Sequence, residues 1–536
     1  MILPGRCGFS NPNCPRPASM THHESVPIAV PEDHISERAG ARAWAGLAIL
    51  SLPTVMLGLD LSLLHLTLPA LALDLQPTST QALWIMDAYG FLIAGFLITM
   101  GTLGDRIGRR KLLLIGAVAF AVASVAAAFS TSANMLIAAR AALGVAGATL
   151  MPSTLALISN LFPHPRQRAL GIGIWATMWG IGYALGPVVG GLLLEWFWWG
   201  AAFLIAVPVV ILLLILAPFL LPEYRAPKSE RVDLTSVALS LAAMLPFVYG
   251  IKQIAKSSLA PDAVVAILAG VLFAWIFVRR QRRLADPLLD LSLFANRAFS
   301  VALVVLLFGL VAVGGTMLLV AQYLQLVVGY SPAVAGLWMG LAALAMIVGG
   351  TGAPLVARVI RPGFVVAGSL ALSVLGYLML TQLSHGTAGV TLSVAALALA
   401  YLGNGTIAAL GTDLVVGSAP PEKAGSASAM TEMVQDLGIS LGIALLGSIA
   451  GAVYHQEVLG HLPDGLKTTA REAVSDSLWA ASSVASELPA GLMEQAQAAF
   501  IAGLQGAAIF NAVSVAVLAV LSAVALRHVG ANARKV

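Results

Sequence analysis

The chain has 536 residues, of which 59% are hydrophobic and 10% charged, with a mean hydropathy of +0.91. Soluble domains carry about 25% charge, so water is not the main solvent of this chain. A net charge of +4 offers no basic face for a nucleic-acid partner, and the two cysteines, Cys7 and Cys14, precede every apolar run, which excludes a disulfide framework.

Residues 1–43 are polar, carry Pro4, Pro12, Pro15 and Pro17, and contain no apolar run of the kind a secretory signal needs. They read as a disordered cytoplasmic tail, within which Met20 is a second candidate start. Beyond Trp44, apolar runs recur to the end of the chain, and about 20 apolar residues suffice for a helical span. Breaking the chain at charged or Pro/Gly-marked loops predicts fourteen spans: 45–68, 82–103, 112–129, 134–156, 170–193, 199–221, 234–252, 262–279, 299–325, 333–355, 363–382, 389–416, 424–454 and 500–527. The expected fold is an all-α integral membrane protein in the lipid bilayer.

Orientation follows from the short loops that hold cations. Alternate loops carry Arg106, Arg109, Arg110 and Lys111; Arg166 and Arg168; Arg225, Lys228 and Arg231; Arg279, Arg280, Arg282 and Arg283; Arg358 and Arg361; and Lys423. Lys256 is the exception among the intervening loops. Both termini are therefore expected in the cytoplasm, in agreement with Arg527, Arg534 and Lys535.

The loop after span two, 101–111, has an echo after span ten, Ala353-Pro-Leu-Val-Ala-Arg-Val-Ile-Arg361, in which Ala357 replaces Asp105 and Ile360 replaces Gly108. The echo predicts two related six-helix bundles, 44–221 and 299–527, separated by linkers and two inserted spans in 222–298, with a short cytoplasmic tail at 528–536. Residues 455–498 are expected outside the membrane, where the helical-looking stretch 470–486 suggests a hairpin.

Three motifs carry chemistry. Gly101-x-Leu-x-Asp105-Arg106-x-Gly108-Arg109-Arg110 is a short cationic loop with one carboxylate, able to lock helix ends together by charge-assisted hydrogen bonds. Span four holds Arg140-x-x-x-Gly144-x-x-Gly147. In span five, Gly182, Gly186 and Gly190 at i, i+4 and i+8 make a face without side chains, and Pro187 permits a bend.

These segments resemble the motifs of the major facilitator superfamily: its signature loop, its proton-coupling arginine motif, with Leu143 where glutamine is usual, and its antiporter motif. Asp60-x-Ser62, Trp84-Ile-Met-Asp87-Ala-Tyr89, Pro287-Leu-Leu-Asp-Leu-Ser-Leu-Phe294, Tyr323-Leu-Gln325 and Gly425-Ser-Ala-Ser428 extend the resemblance from span one to span thirteen. Together they are similar to the fourteen-span drug/proton antiporters, in particular the Qac- and Smv-type pumps for quaternary ammonium biocides and dyes. The resemblance implies two six-helix bundles plus two inserted helices, a multi-pass bacterial inner-membrane location, a monomer, small hydrophobic cationic substrates and protons as partners, and acidic substrate residues in span thirteen.

Ionisable groups inside spans are expensive and are functional candidates by default. At about 1.5 Å per residue, Asp60 lies about 24 Å up span one, and Asp87 and Arg140 about 9 Å down from the outer side, at one level. Two carboxylates beside one arginine suit a proton-coupled cation site; a static ion pair between Asp87 and Arg140 is the competing reading. Glu432 and Asp436, at i and i+4 on one face of span thirteen, have no cation nearby in that span. His65 and Asp413 read as interfacial. Trp84, Tyr89, Trp175, Trp179, Tyr183, Tyr323 and Trp338 offer faces to an organic cation, or form the aromatic belt of a membrane protein.

The expected function is proton-coupled export of hydrophobic cations by alternating access, with no cofactor beyond the proton gradient. No phosphate loop of the G-x-x-x-x-G-K-[ST] type is present. A proton-coupled transporter of one metabolite is the alternative. A membrane enzyme would want a paired catalytic set, such as His and Glu at metal spacing, and none is visible.

Overall fold

The computed structural model describes residues 39–528 except 224, 226–232, 258–260, 285–286, 385, 421–422, 461 and 464–465. The tail with Cys7 and Cys14, the loop cations Lys228 and Arg231, and the terminal Arg534 and Lys535 lie outside the described residues, as do the side chains of Arg166 and Lys256.

Fourteen helices are long and apolar enough to cross a membrane. They are α1 (Ala41–Leu75), α2 (Ser79–Ile107), α3 (Arg109–Ala128), α4 (Ala133–Leu161), α5 (Pro165–Trp196), α6 (Ala201–Leu220), α7 (Leu234–Ser257) and α8 (Pro261–Gln281). Then follow α9 (Arg297–Val327), α10 (Pro332–Val356), α11 (Pro362–Leu380), α12 (Gly389–Gly417) and α13 (Ala424–Leu459). Two short helices, α14 (Thr468–Asp476) and α15 (Leu478–Ser483), precede the last span, α16 (Leu492–Ala525). Hydrocarbon offers no partner to a free N–H or C=O, so each crossing must be helical. The starts are written in the sequence: Thr78 and Gln81 form a capping box for α2, Ser132 caps α4, and Pro332 and Pro362 open α10 and α11 at the position where a missing N–H is harmless.

Several helices run past the expected spans. Helix α1 begins at Ala41, inside the segment expected to be tail. Helix α13 continues to Leu459 and α16 starts at Leu492, so both ends of the expected external loop 455–498 are helical. The extension of α13 has a use: Tyr454 Oη donates to Val474 O at 2.8 Å, and a His455 ring nitrogen lies 2.8 Å from Ser475 O, so the helix end carries the α14–α15 hairpin.

Helices α1–α6 pack as one bundle and α9–α13 with α16 as a second, while α8 lies almost wholly against α7. The bundles meet along two seams, α5 against α10 and α2 against α13, and α7 lies on the second seam, touching both α2 and α13. Lipid-like surroundings give little hydrophobic drive between helices, so these contacts depend on close backbone approach. A Cβ placed on Gly182 would stand 2.2 Å from Val55 O, one on Gly58 2.4 Å from Trp179 O, and one on Gly186 1.8 Å from Ser62 Oγ and 3.0 Å from Leu63 N. The glycine face of α5 is therefore pressed on α1. One residue round the helix, a Cβ on Gly191 would stand 2.2 Å from Pro332 O, and one on Gly336 2.1 Å from Pro187 O, so the same helix also closes the seam with α10.

That seam is close-packed at the end of the molecule bearing the α14–α15 hairpin. One and two heptads along α5 from Pro187 in the other direction, a Cβ added to Gly180 or Gly173 would meet nothing within 4 Å. At the hairpin end, the Asp476 carboxylate accepts from Ser79 N at 2.8 Å and from Ser79 Oγ at 3.1 Å, tying the second bundle's hairpin to the first turn of α2.

At the opposite end the signature loop clamps three helices. Arg109 lies on Asp105 at 2.6 Å and donates to Pro152 O of α4 at 3.3 Å. Arg110 donates to Leu221 O at 2.9 Å and Pro218 O at 3.3 Å, at the end of α6, and its backbone N–H donates to Glu223 at 3.1 Å. Gly108 takes φ +113 with Glu223 against its Cα, a turn that suits glycine alone. Arg106 is exposed. In the second bundle Arg361, the counterpart of Arg109, donates to Arg527 O at 2.9 Å, just beyond the end of α16. The segment 287–294 has a part here too: Lys423 forms an ion pair with Asp290 and holds its carboxyl below the usual carboxylate value.

The tightest of these contacts gives a test. Gly186→Ala is expected to lower the melting temperature of the detergent-solubilised protein, and Gly186→Leu to lower it further, while both still insert. Ser62→Gly, which removes the nearest clashing atoms, should restore part of the loss to Gly186→Ala; melting unchanged in Gly186→Leu would mean that α5 and α1 do not touch there.

Candidate functional site

Arg140 is the centre of the first buried group. Its motif explains how it gets there: a Cβ on Gly144 would stand 2.5 Å from Tyr89 O, so α4 lies directly on α2 and its arginine reaches through to α1. Arg140 Nη1 pairs with Asp60 Oδ2 at 2.7 Å, and Nε donates to Ile85 O at 3.1 Å. The guanidinium carbon is 4.5 Å from the centre of the Tyr89 ring and 5.9 Å from that of Phe203. Arg140 is 1% exposed and Asp60 13%, so the carboxylate is the more open partner. Tyr89 is fully buried, its hydroxyl has no hydrogen-bond partner, and it lies within electrostatic reach of Asp60, Arg140 and Asp436.

Asp87 does not share that arginine. The expectation of one group joining Asp60, Asp87 and Arg140, and the competing one of an Asp87–Arg140 pair, both give way to two separate ion pairs. Asp87, fully buried, is bound by Lys252 of α7, with Nζ 3.1 Å from Oδ1 and 3.0 Å from Oδ2, and the same ammonium lies 3.8 Å from the Trp84 ring centre. Trp84 and Asp87 are one turn apart on α2, so an aromatic face and a carboxylate open on one pocket. Sequence reasoning misses Lys252 because the expected span ends on it, and Lys256 stands out instead as the loop cation. The available signal is that Lys252 follows Met244, Leu245 and Val248 at helical spacing, on the face that packs into the pocket.

Glu432 and Asp436 do lie on one side of α13. Asp436 is 3% exposed and Glu432 half-buried, and neither has an ion-pair partner among the described residues. Helix α13 comes close to α2 because Gly90 has no side chain; a Cβ there would stand 1.9 Å from Ser440 Oγ and 3.5 Å from Asp436 O. The two acidic elements thus face each other across the second seam.

The aromatic candidates divide. Trp84 and Tyr89 border the two ion pairs, and Trp179 stacks on Tyr183 at 5.5 Å and 11°. Trp175 spends its indole N–H on Thr154 Oγ1 at 3.0 Å, and Tyr323 its hydroxyl on Ser384 O at 2.7 Å, so both are fixed as packing elements away from the acids. Trp338 is turned outward, on the face of α10 opposite Gly336. His65, expected at the interface, is fully buried with a ring nitrogen 3.0 Å from Ser62 O; Asp413, expected at the interface, is exposed. Asn511 of α16, which no sequence motif marks, is buried and donates to Ala312 O and Thr316 Oγ1.

Two helical bundles that meet along two seams, with buried charge beside the second, are the build of a membrane transporter. The chain belongs to the Major Facilitator Superfamily, whose family profile matches residues 50–443. It is 40% identical over 495 residues to the multidrug efflux pump LfrA of Mycolicibacterium smegmatis, covering 92% of this chain and 98% of that protein. It is 33% identical over 475 residues to the methyl viologen resistance protein SmvA of Salmonella typhimurium, covering 86% and 93% of the two chains. Among solved structures, a bacterial homologue of the human lysosomal transporter Spinster, in an inward-facing occupied conformation, superposes with a TM-score of 0.61 at 17% identity, covering 91% of this chain and 97% of that one. That likeness carries the fold alone.

The Asp60–Arg140 pair makes a testable claim. Removing one member of a buried pair leaves an uncompensated charge, at about 3–5 kcal/mol. Asp60→Asn and Arg140→Gln should each lower the melting temperature, and the double variant should lower it by clearly less than the sum of the two; additive losses would mean the two side chains do not interact.

Proposed function

We propose that this protein is a proton-coupled multidrug exporter of hydrophobic cations that works by alternating access. The observation that carries the reading is an imbalance of charge. Among the described residues, Asp60, Asp87, Glu432 and Asp436 enter the seam region, while Arg140 and Lys252 are the cations that answer them. Two carboxylates remain, and in a low-dielectric interior they are compensated either by protons or by a bound cation. Exchange of one for the other is antiport. The names of LfrA and SmvA, a multidrug efflux pump and a resistance protein for a dication, support the same reading.

The loop cations support a cytoplasmic signature-loop end, with the hairpin end facing outward and the seam opening inward. A hydrophobic cation enters from the cytoplasmic leaflet, meets the acids between α1, α2 and α13, and has the Trp84, Tyr89 and Trp179 rings nearby as apolar partners. Rocking of the bundles then opens the hairpin end, where protons neutralise the acids and release the cation. The signature-loop residues Gly101, Asp105, Arg106, Gly108 and Arg109 and the glycine face of Gly182, Gly186 and Gly190, bent at Pro187, serve the rocking rather than the binding.

Proteoliposomes carrying a pH-sensitive dye should release protons when tetraphenylphosphonium is added, and a neutral metabolite doing so instead would favour the narrower transporter. Asp60→Asn and Asp87→Asn should each insert yet fail to export against a gradient; active efflux retained in both would remove them from the site.

A dication engages two carboxylates where a monocation needs one, and in a low-dielectric cavity the loss of a partner is worth kilocalories per mole. Glu432→Gln and Asp436→Asn should therefore reduce export of methyl viologen more than of ethidium, read as inhibitory concentrations in cells expressing each variant. Equal loss would assign the pair to coupling or folding, and no loss would take it out of the site.

A further inference from the structure

Nothing in alternating access calls for a buried lysine on an added helix. Helix α7 lies outside both six-helix bundles, and a buried ion pair holds two helices together no better than apolar residues of the same volume. Yet Lys252 is 2% exposed, and Asp87 is the hydrogen-bond acceptor of its three-donor ammonium among the described residues. The position it occupies is a cation site in every respect. The Asp87 carboxylate supplies the charge, the Trp84 ring supplies a face at 3.8 Å, and Phe91, Val248, Ala444, Leu437 and Leu441 supply an apolar wall between α2, α7 and α13.

The lysine also has somewhere to go. A cavity of about 630 Å³ lies under the α14–α15 hairpin, and Lys252 lines it together with Leu83, Ser448, Glu472, Asp476 and Trp479. Ser448 is buried, and its hydroxyl has no partner. A flexible four-carbon stem can carry the ammonium from Asp87 towards this cavity, where Ser448, Glu472 and Asp476 are among the lining residues, without moving α7.

We infer that Lys252 is a tethered competitor: its ammonium fills the Asp87–Trp84 site while the carrier is empty, and the transported cation displaces it into the cavity beneath the hairpin. The inference rests on the reading of the protein as an exporter of hydrophobic cations, and it makes Lys252 a determinant of specificity. Only cations that bind carboxylate and aromatic face better than a lysine ammonium are admitted. Apparent affinity falls in proportion to the fraction of carriers with the site free, so a lysine in place nine-tenths of the time weakens binding about tenfold.

Binding of tetraphenylphosphonium to the full-length protein in detergent tests this. Lys252→Met should bind about tenfold tighter than wild type, Lys252→Arg should bind like wild type, and Asp87→Asn should lose binding. Because Lys252→Met leaves Asp87 alone in the pocket, a second measurement uses the unaltered protein. Acetylation of Lys252, read by peptide mass spectrometry, should rise several-fold at saturating tetraphenylphosphonium and stay low with a neutral apolar compound of similar size. Lys252→Met binding no tighter than wild type, or Lys252 still protected at saturation, overturns the inference while the export reading stands. Folded wild type that binds no cation overturns both.

Discussion

A charge carried into hydrocarbon must be answered by another group of the same chain, and much of this structure follows from how that is done. Arg140 can meet Asp60 only if α4 lies on α2 with nothing between them, which Gly144 allows. Asp87 can be buried only if α7 comes to the seam with its lysine. Asp436 can approach Tyr89 only because Gly90 leaves α13 room. Close backbone approach and buried charge are one design here: the glycines set the distances at which the ions become affordable. On α13, where no such partner stands among the described residues, two acids are left for something else to satisfy.

The architecture was legible because its signal is long-range and redundant. Apolar runs, loop cations and the 101–111 loop with its echo at 353–361 all point to the same fourteen crossings; ten of the expected spans lie wholly inside an observed helix and the other four overrun theirs by one or two residues. What the runs could not show is where a helix continues beyond hydrocarbon, as α13 does, because there the helix is held by tertiary bonds such as Tyr454 to Val474 O. The site was legible by residue type but not by pairing. Asp60, Asp87 and Arg140 were all recognisable as costly; which acid belongs to which base depends on the rotation of α2 and the docking of α7, and depth along a helix carries no information on either. The aromatics show the same limit, since Trp84 and Trp175 look alike in sequence and only the Thr154 hydroxyl tells them apart.

The two bundles keep one device in different states of repair. In the first, Arg109 and Arg110 join α2 and α3 to Pro152 of α4 and the end of α6, with Asp105 and Glu223 as counter-charges. In the second, Ala357 has replaced the acid, and Arg361 reaches the backbone just past α16. A carbonyl row at a helix C-terminus favours a cation whether or not a carboxylate stands beside it, which suits Arg361 without an aspartate.

The α14–α15 hairpin has a mechanical consequence. It grows from α13 but is fastened to Ser79, in the first turn of α2, so under the proposed rocking one carboxylate joins two bodies that turn against each other. In a rocking motion displacement grows with distance from the pivot, and this fastening lies at the far end of the lever arm. A hydrogen-bonded contact there resists rotation with more torque than the same contact beside Arg140 would. On the proposed alternating-access reading the hairpin acts as a detent, holding its end closed against thermal jitter and offering no resistance once the turn has begun.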